Sequence, residues 1–104
     1  MGMNMQNLMK QAQKMQREAA RVQEELANTE VEGISGGGMV KVIATGAQEI
    51  VSISINPEII DPEDREMLED LVLAAVKDAM ANAQALAADK MGRVTGGMNL
   101  PGMF

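Results

Sequence analysis

The chain has 104 residues, a formal net charge of -6 and a single aromatic residue, Phe104. Because it contains neither cysteine nor histidine, it can form no disulfide, no zinc site of these ligands and no histidine base. The lack of cysteine suits the cytoplasm, and we expect no signal peptide, no membrane-spanning segment and no membrane partner. Apolar bulk is scarce for one small domain, so we expect the chain to gain burial by forming a homodimer.

Residues 4–28 predict a long first helix. Their apolar side chains recur in steps of three and four residues, which is the a/d pattern of a coiled coil, and no glycine or proline interrupts them. We call these side chains the apolar seam: Met5, Leu8, Ala12, Met15, Ala19, Val22 and Leu26. At 1.5 Å per residue the helix would be roughly 35 Å long. A three-stranded sheet cannot cover that length, so part of the helix is expected to project as a coiled-coil arm.

A row of cations runs along the opposite side of this helix. Lys10, Lys14, Arg17 and Arg21 follow one another in steps of 4, 3 and 4 residues, which brings them onto one face. Residues 1–28 set these four cations against three glutamates, so the acid of the chain lies elsewhere. Such a row suits contacts with nucleic-acid phosphates, but lysine and arginine are also ordinary occupants of the solvated face of a coiled coil. With no aromatic side chain here to stack on bases, contact with the backbone of a duplex is the mode that stays open.

The stretch EGISGGGMVKV, residues 32–42, could be a phosphate-binding loop or a turn between strands. Gly33 and Gly38 have the spacing of the first half of a P-loop, but Met39 and Val40 stand where that motif needs lysine and serine or threonine. The residues that follow alternate with the period of a strand and do not begin a helix. We therefore predict a hairpin loop.

Three short strands are predicted to form an antiparallel meander, at residues 29–35, 39–44 and 50–55. Gly33 within the first strand suggests a bulge. Gly46 is expected to supply a positive φ in the second hairpin turn.

After a short turn, residues 61–90 predict a second long helix. Asp61 can cap its start, and Pro62 suits the first helical position. Its buried face is expected to comprise Leu68, Leu71, Val72, Ala75, Val76, Ala79 and Met80. The chain thus reads as an α+β protein with a long N-terminal helix, a three-stranded antiparallel meander, a short turn and a long C-terminal helix. We expect one domain over residues 1–95 and a flexible tail over residues 96–104.

The sequence gives little support for metal binding or catalysis. The acidic cluster at the start of the second helix lacks the spacing and the glycine of an EF-hand; it comprises Asp61, Glu63, Asp64, Glu66, Glu69 and Asp70. Capping and solvation account for these carboxylates. Ser52 and Ser54 face outward on the third strand with no nucleophile signature around them. We therefore expect no metal, no cofactor and no enzymatic activity.

Four stretches, NLMKQAQKMQ, EVEGISGGGMVKV, NPEIIDPEDREMLEDLVLAA and KMGRVTGGMNLPGMF, follow one another along the chain. Together they resemble the YbaB/EbfC family of small bacterial nucleoid-associated proteins over nearly the whole length. The resemblance implies a tweezers-like homodimer. Its body would contain the sheets and part of the helices, and paired long helices would project as arms that engage double-stranded DNA in the nucleoid.

If the last helix runs antiparallel to the first, Lys90 and Arg93 would lie near Lys10 and Lys14 and extend the basic row. The residues expected to bind DNA, chosen by charge geometry, are therefore Lys10, Lys14, Arg17, Arg21, Lys90 and Arg93. Because contacts with phosphates do not read bases, we expect weak or no sequence specificity.

A protein-interaction scaffold is the alternative. The chain contains 11 methionines, whose flexible side chains adapt to varied partner surfaces. In this reading, the helical arms would hold helices of another protein, with DNA repair or replication proteins as the candidate partners.

Overall fold

The computed structural model describes residues 4–96, with side chains through Val94. Its helices and strands follow the predicted order: α1 Met5–Ala27, β1 Glu30–Ser35, β2 Val40–Thr45, β3 Ile50–Ile55 and α2 Arg65–Gly96. Short 3-10 turns occupy Gly36–Gly38, Pro57–Ile59 and Pro62–Asp64. The α+β fold class is confirmed. Gly96 is the last described residue of α2, and the rest of the predicted tail lies outside the described residues.

Helix α1 begins at an asparagine cap and becomes buried only near its C-terminal end. The Asn4 side chain accepts a hydrogen bond from the Gln6 N–H at 2.9 Å, which satisfies one of the free donors of the first turn. Every residue from Met5 to Lys14 is exposed, whereas Val22 and Leu26 are buried. The N-terminal half of α1 therefore projects from the body, as its length predicts, and the molecule measures 75 × 26 × 16 Å.

The sheet is an antiparallel meander of order β1-β2-β3. In the loop between β1 and β2, Gly36, Gly37 and Gly38 all have positive φ angles, a conformation that side chains other than glycine rarely adopt. The glycine-rich stretch is thus the predicted hairpin loop.

Gly33 does not form the bulge that its place in β1 suggested. The register of β1 on β2 is continuous, and the irregularity lies instead between Ile43 and Ala44, where β2 pairs with β3. A Cβ atom on Gly33 would overlap the backbone of α2 at Ala75 and Ala79. Glycine is required here because the helix lies directly on the strand, a tertiary contact that the local sequence does not reveal.

Gly46 also has a role different from the predicted one. The residue with positive φ in the second hairpin turn is Gln48, at 69°. Gly46 packs against Leu26, whose Cδ2 would lie 2.8 Å from a Cβ at this position, and its N–H donates to the Thr29 carbonyl at 2.8 Å. This glycine therefore lets the turn close over the end of α1.

Helix α2 is anchored to β1 by both apolar and polar contacts. Just before the helix, the Asp61 side chain accepts a hydrogen bond from the Glu63 N–H at 3.0 Å, so the predicted cap is confirmed. The capped segment is a 3-10 turn that precedes the α-helix. The fully buried alanines Ala75 and Ala79 pack against a cluster on β2: Val40, Val42 and Ala44.

Two polar side chains of α2 bind the backbone of β1. Asp78 Oδ2 accepts from the Ile34 N–H at 3.0 Å, and Asn82 Nδ2 donates to the Glu32 carbonyl at 2.7 Å. These bonds fix the position of α2 along the strand.

By length and composition, the segment Pro62–Val94 is apolar enough to cross a membrane, with a mean hydropathy of 1.2 over an 18-residue window. No segment of this apolarity was expected from the sequence. Part of the apolar surface packs on the sheet through Ala75 and Ala79, and the exposed remainder borders the groove described below.

Candidate nucleic-acid interface

The projecting half of α1 carries cations that form no ion pairs within the described residues. Lys10, Lys14 and Arg17 are exposed, and within residues 4–96 none of them takes part in an ion pair. Residues 4–17 contain no aspartate or glutamate. Lys10 and Arg17 lie about 10 Å apart along the axis, at 1.5 Å per residue. We call these three side chains the arm cations; they face away from the apolar seam.

Arg21, the next cation of the row, is in a different environment. Its Nη2 lies 2.6 Å from Glu18 Oε2, and its Nη1 lies 3.1 Å from Glu25 Oε1. The hydrogen bond from Arg21, reinforced by its charge, holds the pKa of Glu18 below its usual value, and the same bond raises the pKa of Arg21. Two carboxylates therefore offset the one positive charge of Arg21.

The two cations of α2 that were predicted to extend the basic row, Lys90 and Arg93, lie beside Arg21 and not beside Lys10 and Lys14 as expected. Lys90 Nζ is 3.5 Å from Glu25 Oε2, and Arg93 Nη2 is 3.0 Å from Asp89 Oδ2. Lys90 and Arg93 line a shallow groove with Arg21.

The position of α2 on the sheet explains this offset. Asp78 and Asn82 hold α2 on β1, so Lys90 reaches only the level of Glu25. Lys10 lies 15 residues further along α1, about 22 Å away at 1.5 Å per residue. The six predicted site residues therefore form two groups: the arm cations, which form no ion pair within the described chain, and Arg21, Lys90 and Arg93, which are ion-paired where the two helices meet.

The body of the molecule has the opposite charge. The arm cations supply three positive charges, so the rest of the chain has a net charge of -9 for the total to be -6. Within residues 4–96, no group of histidine, cysteine or carboxylate side chains is arranged to hold a metal ion. The acidic residues that start α2 are exposed to solvent.

A second surface of interest is an apolar groove between β3 and α2. Its lining is almost wholly aliphatic, with one glutamate: Ile55, Leu68, Glu69, Val72, Leu73 and Val76. Next to it, Val51 and Ile53 are 53% and 48% exposed. We call this surface, including Val51 and Ile53, the β3–α2 groove.

Leu68, Val72 and Val76 of this groove were predicted from the sequence to lie on the buried face of α2. A helix with its side chains is about 10 Å wide, whereas strands lie about 4.8 Å apart, so one helix covers about two strands. Helix α2 lies over β1 and β2 and leaves β3 open. The sequence did contain a sign of this open surface: three strands each have an apolar face, and α2 alone can cover only about two of them.

A model of the YbaB/EbfC DNA-binding family matches residues 1–98. The chain belongs to this family. It is 56% identical over 103 residues to the nucleoid-associated protein TTE0040 of Caldanaerobacter subterraneus, a match that covers 99% of this chain and 93% of that protein. A nucleoid-associated protein of Pelotomaculum thermopropionicum is also 56% identical, over 100% of this chain and 99% of its own length.

A solved structure shares the fold of this YbaB/EbfC member. The uncharacterised protein HP0035 of Helicobacter pylori superposes with a TM-score of 0.74 at 24% identity, and the match covers 93% of this chain and 98% of that one. The resemblance seen in the sequence is confirmed. DNA binding is the activity that the family is named for, and the bacterial relatives bear the name of nucleoid-associated proteins.

Proposed function

We propose that this YbaB/EbfC member is a non-enzymatic protein of the cytoplasm and nucleoid that binds double-stranded DNA as a homodimer. The observation that carries the proposal is the projecting half of α1, where Lys10, Lys14 and Arg17 are exposed and form no ion pair within the described residues. Contact is made with backbone phosphates, so sequence specificity is weak or absent.

The charge distribution directs DNA to the arm. A net charge of -6 would repel a polyanion if it were spread evenly, but the arm cations form a local positive surface on an acidic body. The duplex is attracted to the N-terminal half of α1, which carries the arm cations, and is repelled from the acidic start of α2. The exposed helix therefore offers a contact surface without an enclosing cleft.

Arg21, Lys90 and Arg93 contribute less than the arm cations. Each is already paired with a carboxylate, and a DNA phosphate has to compete with that partner. They are therefore the weaker members of the predicted DNA-binding set, available to a phosphate only where a carboxylate partner is removed or displaced.

The β3–α2 groove supports the homodimer. It joins Val51 and Ile53 to an aliphatic lining that includes Val72 and Leu73, and large exposed apolar patches on soluble proteins commonly mark contacts with another protein. A two-fold contact would bury the same groove on both chains. The dimer then presents two arms and six arm cations, and the second arm binds at the high effective concentration set by the first.

The proposal is tested by titrating a random-sequence duplex with the protein at several salt concentrations and following fluorescence anisotropy. If six phosphates are neutralised per dimer, the logarithm of the association constant falls with the logarithm of the salt concentration at a slope of roughly -5. The affinity then drops roughly 10³-fold between about 50 and 200 mM salt. Unlabelled duplexes of unrelated sequence should compete equally well. Affinity that does not change with salt contradicts the phosphate mechanism.

The scaffold alternative rests on the exposed methionines of the projecting arm. Met5 and Met9 are 73% and 60% exposed, so an adaptable apolar surface is open to a partner helix, with DNA repair or replication proteins as candidates. A pull-down that survives nuclease treatment and is lost with Met9→Glu or Met15→Glu favours this function. A pull-down abolished by nuclease favours DNA binding.

A further inference from the structure

Four charged side chains where α1 meets α2 form one connected group. Glu18 binds Arg21, Arg21 also binds Glu25, and Glu25 in turn contacts Lys90. We call these four residues the junction cluster. It holds two cations and two carboxylates and is therefore neutral. Arg21 continues the row of cations on α1 in the sequence. Because the junction cluster is neutral, Arg17 is the last residue of the row that adds net positive charge.

We propose that Glu18 sets the inner limit of the DNA-contact surface by neutralising Arg21, so that phosphates bind only as far as Arg17. This inference rests on the proposed function and refines it. Glu18 does not touch DNA; it acts through Arg21 and is a residue that determines the size of the site.

Glu18, more than Glu25, is the deciding carboxylate. Glu25 divides its two oxygens between Arg21 at 3.1 Å and Lys90 at 3.5 Å, so two cations balance it. Glu18 makes the shorter contact, 2.6 Å, and Arg21 is its one ion-pair partner within the described residues. Without the charge of Glu18, two cations would face one carboxylate, and the junction cluster would become net positive.

The junction cluster lies at the boundary between the projecting arm and the rest of the molecule. Arg21 lies where the end of α2 comes alongside α1, as its shared groove with Lys90, Arg93 and Val94 shows. On the distal side α1 projects freely with three cations, and on the other side lie the helix pair and the acidic body. A neutral cluster at this point keeps the duplex on the projecting arm.

The test compares Glu18→Gln with Glu24→Gln in salt titrations of a random-sequence duplex. Glu24 is also exposed on α1 but forms no ion pair within the described residues, so its substitution removes the same charge without releasing a cation. We expect Glu18→Gln to tighten binding and to steepen the log-log salt slope by about 0.9 per added phosphate contact. Glu24→Gln should leave the slope unchanged.

Arg21→Gln provides the second arm of the test. Alone it should leave the salt slope of the wild type unchanged, and combined with Glu18→Gln it should remove the gain, because no released cation is left. Circular dichroism checks that each variant keeps its helix content. Equal slopes for Glu18→Gln and Glu24→Gln, or a gain that persists in the double variant, overturn the inference.

The same experiment separates this inference from the function on which it rests. If wild-type binding has a salt slope that Lys14→Gln makes shallower, but Glu18→Gln matches Glu24→Gln, the role of Glu18 alone is overturned. A wild type whose binding is indifferent to salt overturns both.

Discussion

Lys90 and Glu25 join the two helices, with Nζ of the lysine 3.5 Å from Oε2 of the glutamate. This contact marks where the end of α2 meets α1. From Glu25 back to Met5, helix α1 continues for 20 residues, about 30 Å at 1.5 Å per residue. The length of the arm, and hence the distance between the acidic body and the arm cations, follows from this one alignment.

Gly33→Ala is expected to destabilise the fold strongly. The added methyl group would overlap backbone atoms of α2 at Ala75 and Ala79, which cannot rotate away as a side chain would. Overpacking of this kind costs about 3 kcal/mol. In a domain of this size, that lowers Tm by about 15 °C in thermal unfolding at fixed protein concentration.

Gly92→Ala is the matched control for that substitution. A Cβ at Gly92 meets no atom within 4 Å, and the residue lies within α2. Alanine should therefore raise stability slightly, by about 0.5–1 kcal/mol, through its better helix propensity. If Gly33→Ala unfolds at the same temperature as Gly92→Ala, the close approach of α2 to β1 is wrong.

Ile53→Glu is expected to convert the proposed homodimer to a monomer without unfolding the chain. Ile53 is 48% exposed in the β3–α2 groove, so a charge there disturbs the proposed interface more than the core. Light scattering coupled to size exclusion measures the mass, and circular dichroism checks the fold. DNA affinity should fall as well, because each particle then carries one arm.

Ile34→Glu tests whether the effect belongs to the groove. Ile34 is 47% exposed, nearly the same as Ile53, but its position in β1 alternates with Gly33, which faces α2, so it lies on the opposite face of the sheet. This variant should remain dimeric. Dissociation by Ile34→Glu but not by Ile53→Glu would place the interface on the other face.

Gln11→Gly is expected to weaken DNA binding although it removes no charge. Residues 5–14 are exposed, so helix propensity has more weight there than packing. Glycine disfavours a helix by about 1 kcal/mol relative to alanine, which corresponds to at most about a fivefold loss of affinity. Hydrogen exchange should show faster exchange around position 11.

Gln11→Ala removes the same amide side chain and keeps the helix. It should bind DNA at least as well as the glycine variant and retain the hydrogen-exchange protection of the wild type. Equal exchange in the two variants would mean that something other than propensity holds the arm in its helical form.

Local patterns in the sequence predicted the elements but not their contacts. Helix α1, strand β2 and the Asp61 cap before the second helix were each predicted from interactions within a few residues, and the structure confirms all three. The roles of Gly33 and Gly46 were wrong because each glycine makes room for a helix that is distant in sequence or lies beyond a turn. Local propensity carries no information about such close approaches.

For the candidate site, too, the sequence predicted what depends on α1 alone but not what depends on the contact between α2 and β1. The exposure of Lys10, Lys14 and Arg17 follows from the length of α1, which projects beyond the sheet. The placement of Lys90 depends on Asp78, which fixes where α2 sits on β1 through a tertiary hydrogen bond. No spacing rule predicts that contact, so the expected extension of the basic row was misplaced.

The most direct measurement compares two triple variants of equal net charge in the salt titration of a random-sequence duplex. One, Lys10→Gln/Lys14→Gln/Arg17→Gln, removes the arm cations; the other, Lys41→Gln/Arg65→Gln/Lys77→Gln, removes three exposed cations from the body. We predict that the first nearly abolishes binding and its salt dependence, while the second keeps a slope close to that of the wild type. Equal losses in the two variants, or wild-type binding by the first, would contradict the assignment of DNA contact to the arm.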